Sequence, residues 1–97
     1  MRGEEAGFKR LLSVMPPGWE EKAKELGALV RSREIKDAVD LLRLVFIYLS
    51  EGKSFRGTAA LLELAGVCSI SKKAVFRRFQ KSGEWLWWLC EHLYRNA

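Results

Sequence analysis

The chain is 97 residues long, the size of one domain, and its 48% hydrophobic and 30% charged residues make a globular rather than a disordered composition. Its net charge of +5 is unevenly spread: Lys53–Lys81 carries seven basic residues against Glu63 alone, while the remainder holds ten basic and eleven acidic residues. That cluster is the footprint of a polyanion binder, and a membrane-spanning chain is excluded, because the longest apolar run, Leu44–Leu49, falls far short of the roughly 20 residues a bilayer requires.

The two prolines are adjacent, and alternating apolar runs and hairpin dipeptides are missing, so the pattern predicts an all-α fold. The first helix, about Glu4–Met15, sets Phe8, Leu11, Leu12 and Met15 on one stripe. Pro16-Pro17 ends it, since a residue before proline is pushed away from helical ψ. A second helix starts near Trp19, with Glu20 and Glu21 at its positive end and Trp19, Ala23, Leu26 and Val30 on one face. Gly27 then falls inside this helix, where a close helix crossing would account for it. Arg31–Lys36 reads as a polar connector, and Asp37 as the N-cap of a third helix, about Ala38–Ser50. That helix is apolar nearly all round, which places it in the middle of a bundle.

Gly52 is the expected stop after the third helix, and Ser54 the cap of a fourth, Phe55–Ala65. Phe55, Thr58, Ala59, Leu62 and Ala65 share one arc, and Gly57, Ala59 and Ala60 would let a neighbour approach closely. Gly66 ends this helix, Ser71 or Ser69 caps a fifth, Ser82-Gly83 closes it, and a sixth runs over about Glu84–Arg95. The expectation is therefore one domain over residues 1–97, a compact six-helix bundle with a helix-turn-helix-like unit at about 54–82.

A helix, a glycine-containing turn and a basic helix make a plan suited to double-stranded DNA, whose major groove, about 12 Å wide, admits one α-helix. At about 100° per residue, Val75, Phe76 and Phe79 cover the inner arc of the fifth helix. Lys73, Arg77 and Gln80 cluster within about 60° on the other side, with Lys81 beside them, and these four are the expected groove-facing residues. Arg78 lies on the flank as a phosphate contact, and Lys72 projects to the core side, able to help only by snorkelling. Ser71 opens the helix, while Arg56 and Lys53 are placed for backbone contacts that position without reading sequence.

Catalysis finds little support. Asp37 and Asp40 share a helix start, where capping explains them, and His92 has no paired nucleophile. Cys68, Cys90 and His92 do not form a zinc-ligand pattern, phosphate-cradling glycine loops are missing, and no cofactor or small-molecule substrate is implied. The N-terminus does not read as a signal peptide, so the chain is expected to be soluble and cytoplasmic, associated with the nucleoid. In the last helix Trp85, Trp88 and Leu89 are expected to turn inward, while Trp87 and Tyr94 either project outward as candidates for protein contact or are covered by the first two helices.

The succession Gly27–Arg33, Ile35–Asp37, Asp40–Arg43, Ser54–Ala60, Ser69–Phe79 and Trp85-Leu86 resembles the N-terminal domain of bacterial DDE transposases of the insertion-sequence-four family. The resemblance covers roughly residues 10–95 and rests on the ordered succession rather than on one motif. It implies binding of the element's terminal inverted repeats and a role in assembling the transposition complex. It also implies a DDE catalytic domain with its divalent metal site, which this chain does not carry, since no aspartate follows Asp40. The chain alone is therefore expected not to be an enzyme, and α-helical contact with a catalytic domain or a second copy would give Trp87 and Tyr94 a purpose. The alternatives are an autonomous helix-turn-helix regulator and a protein-interaction module whose basic face is merely solvated.

Overall fold

Helices form where caps and apolar spacing direct them. The computed structural model describes residues 2–29, 35–51 and 54–95, with side chains from residue 6 onward. Six helices run in the order α1 (Arg2–Ser13), α2 (Trp19–Glu25), α3 (Ala38–Glu51), α4 (Phe55–Leu64), α5 (Lys72–Lys81) and α6 (Gly83–Arg95), with no strand among the described residues. The all-α, six-helix expectation therefore holds. Val30, Gly52 and Lys53 lie outside the described residues.

Three of the expected caps are in place. Asp37 Oδ1 accepts from the Asp40 N–H at 2.9 Å, Ser54 Oγ from the Gly57 N–H at 3.1 Å, and Ser71 Oγ from the Ala74 N–H at 3.2 Å. Each bond satisfies a donor that the first helical turn leaves without an intrahelical partner. Partial burial, and then the neighbouring Asp37, hold the Asp40 carboxyl above its ordinary pKa, opposed by Arg43 and Lys36.

The core is built on α3, whose Leu41, Leu42, Leu44, Val45 and Ile47 are all buried. It packs against α1, α2, α4 and α5, as an almost wholly apolar helix must. Around it close Phe8 of α1, Ala23 of α2, Leu62 of α4, Val75 of α5, and Trp85 and Leu89 of α6. The Arg43 guanidinium lies 4.3 Å from the centre of the buried Phe8 ring, which explains a lone cation within the apolar α3. Trp85 ties the two ends of the chain together. Its ring stacks on Trp19 at 6.2 Å, and its indole N–H donates to the Trp19 carbonyl at 3.0 Å.

The structure corrects the sequence reading at several places. Gly27 does not lie inside a helix. Its φ of +78° is left-handed, α2 stops before it, and the Leu29 N–H returns to the Ala23 carbonyl at 2.9 Å. Gly66, by contrast, ends α4 as expected, with φ +72° and the Val67 N–H donating to the Leu62 carbonyl at 3.0 Å. Ala65, expected as the last residue of α4 on one arc with Phe55, Thr58, Ala59 and Leu62, is exposed just beyond the helix. Ile35, placed in a polar connector, is buried in the core instead.

Candidate nucleic-acid interface

The basic stretch becomes a surface through the way α5 is seated. α4 and α5 share the most extensive helix contact of the described fold, and α5 also meets α3 and α6. An aromatic cluster from three helices makes the seat. Tyr48 of α3 stacks on Phe55 of α4 at 5.3 Å and meets Phe79 of α5 at 4.6 Å. Phe55 also touches Phe79 at 5.7 Å and the edge of Phe76 at 5.4 Å. Val75 completes the inner face, fully buried. At the far end the buried Ser82 hydroxyl donates to the Arg78 carbonyl, and the Ser82 carbonyl accepts from Leu86, so α6 begins where α5 ends.

Seated this way, α5 presents a continuous outer arc of Lys72, Lys73, Phe76, Arg77, Gln80 and Lys81, all exposed. The structure thus brings together Lys73, Arg77, Gln80 and Lys81. Arg78 lies half-buried at the margin. Two assignments change. Lys72 is exposed rather than turned to the core, and Phe76, assigned to the inner arc, is 45% exposed, with its ring against Phe55. Ser71 is exposed at the cap of α5, and Arg56 is exposed in the first turn of α4.

The electrostatics of the helix starts set α4 and α5 apart. Helices α2, α3 and α6 place Glu20 and Glu21, Asp40, and Glu84 in their first turns, where negative charge suits the helix dipole. Helices α4 and α5 have no acid there; Arg56 opens one, and Lys72 with Lys73 the other. These cations add to the positive helix ends instead of neutralising them. The two starts are neighbours: Ser54, Phe55, Arg56 and Lys72 line one open groove of about 370 Å³. The result is concentrated positive potential with free backbone donors nearby, an arrangement suited to phosphate.

Sequence reasoning missed Tyr48 as part of this site, because its partners come from two other helices and no local spacing announces them. A second surface lies on α6, where Trp87 is 69% and Tyr94 83% exposed. Trp87 and Trp88, with Leu26, Gly83, Glu84 and Glu91, line an open, largely apolar groove of about 400 Å³. Among the described residues no group of three or more His, Cys, Asp or Glu could hold a metal ion, and no helix is long and apolar enough to cross a membrane.

Comparison with known proteins gives transposases. The chain is 37% identical over 70 residues to the Escherichia coli K12 protein described as "Putative transposase InsL for insertion sequence element IS186A". It is likewise 37% identical over 71 residues to the Escherichia coli "Transposase for insertion sequence element IS421". Each match takes in 72% of this chain and 19% of the relative, so the chain corresponds to under a fifth of the transposases it resembles. No protein-family model matches the chain, and no solved structure matches it significantly.

Proposed function

We propose that this chain is the DNA-binding module of a transposase-type protein, corresponding to the N-terminal domain of the insertion-sequence-four family. It recognises transposon-end DNA with α5. The observation that carries this reading is the pairing of two helix starts that both hold cations, Arg56 and Lys72 with Lys73, at the head of the exposed arc Lys73, Arg77, Gln80 and Lys81. Similarity to insertion-sequence transposases supplies the biological context.

In this reading α4 and α5 act as a helix-turn-helix-like unit. Arg56, Ser71, Lys72 and Arg78, together with Lys53, hold phosphates and fix the register of the domain on the duplex. Lys73, Arg77, Gln80 and Lys81 face the major groove, where arginine and lysine pair with guanine edges and glutamine with adenine. The module binds and positions DNA, and strand chemistry belongs to a catalytic domain outside these residues. The outer face of α6, with Trp87 and Tyr94, serves protein contact with that domain or with a second copy.

Selection of bound duplexes from a random pool at physiological salt tests the reading. The enriched sequence should match the terminal repeats of the element that encodes the chain. Lys73→Glu and Arg77→Glu should each weaken binding to it by about tenfold or more. Two half-sites spaced one helical turn apart, unrelated to element ends, would instead identify a dimeric regulator. Failure to enrich any sequence, with charge-reversed chains behaving like wild type, would leave a protein-interaction module with a solvated basic face.

A further inference from the structure

Building on the reading of α5 as the groove-facing helix, we propose that Phe76 is a base-reading residue that recognises the C5-methyl group of a thymine. Its ring is 45% exposed, in a domain small enough that large apolar side chains are needed in the core. It lies three residues after Lys73 and four before Gln80, so it shares their side of the helix. The ring packs on a neighbour that is itself packed: its centre lies 5.4 Å from that of Phe55 at 60°, and Phe55 stacks on Tyr48 at 5.3 Å. A ring already packed on a neighbour has less rotamer freedom to lose on binding than a fully solvated one.

The chemistry of the groove supplies the partner. Thymine presents its methyl on the major-groove edge, and phenylalanine makes apolar contact with that group. Burying a methyl against the open part of the ring removes apolar surface from water on both sides. The flanking Lys73, Arg77 and Gln80 hydrogen-bond to base edges or phosphates and set where the ring lands. Phe76 thus adds to a cationic helix a contact that favours T·A over the other pairs at one position, without using charge.

The test uses the full chain and a duplex that it has selected from a random pool. Each thymine of that duplex is replaced in turn by deoxyuridine, which removes only the methyl. At one position the wild-type chain should lose about fourfold in affinity, the worth of one buried methyl-sized group. Phe76→Ala should bind the thymine and deoxyuridine duplexes equally at that position, and Phe76→Leu should restore part of the difference. Circular dichroism of both variants checks that the helices persist. If wild type binds its duplex tightly but ignores every replacement, or if Phe76→Ala keeps the full difference, this inference is overturned while DNA binding stands. If no duplex is bound at all, the DNA reading fails and this one with it.

Discussion

Gly27 shows what a single residue decides. Its left-handed φ of +78° ends α2 and turns the chain so that Ala28 enters the core. Gly27→Ala leaves space for a methyl but strains the backbone, and should destabilise the domain by about 1–2 kcal/mol in chemical denaturation. An unchanged midpoint would mean that the turn is not held as described. The same residue marks a limit of sequence reading. Glycine within an apolar period fits either a close crossing or a helix end, and only the bond from Leu29 to Ala23 separates them. The caps were legible because Asp37, Ser54 and Ser71 act on backbone donors three residues away. The bond from Trp85 to Trp19 spans 66 residues and leaves no local trace.

At the scale of the element, α5 works because it is anchored more firmly than its own composition would allow. It has one fully buried side chain, Val75, and is otherwise rich in cations. Tyr48 and Phe55 supply the missing hold through Phe79 and Phe76. Tyr48→Ala should therefore cost about 2–4 kcal/mol of stability. It should also weaken DNA binding, although Tyr48 is on α3 and outside the basic arc. Hydrogen exchange should report the loss as faster exchange along α5. Loss of stability without faster exchange in α5 would contradict this role for the cluster. The helical wheel gave the outer arc of α5 correctly for Lys73, Arg77, Gln80 and Lys81. It misplaced Phe76, which lies at the edge of the inner arc, and Lys72, which falls within that arc but is the first residue of α5, where position along the helix rather than the period decides exposure.

Across the whole molecule, two surfaces differ in chemistry: a cationic one at α4 and α5, and an aromatic one on α6 flanked by Glu84 and Glu91. If α6 meets a second copy, the chain should self-associate in sedimentation at high concentration. Trp87→Ser combined with Tyr94→Ser should then abolish that association and leave DNA affinity per chain intact. A wild-type chain that stays monomeric throughout would remove the second copy as the occupant. DNA binding by the cationic surface is tested most directly by the salt dependence of affinity for the selected duplex. A plot of log affinity against log salt should have a slope of about −3 or steeper, as several released counterions require. Arg56→Ala, removing one phosphate contact, should flatten it by about one. A slope near zero, or the same slope in wild type and variant, would contradict the assignment of this surface to DNA.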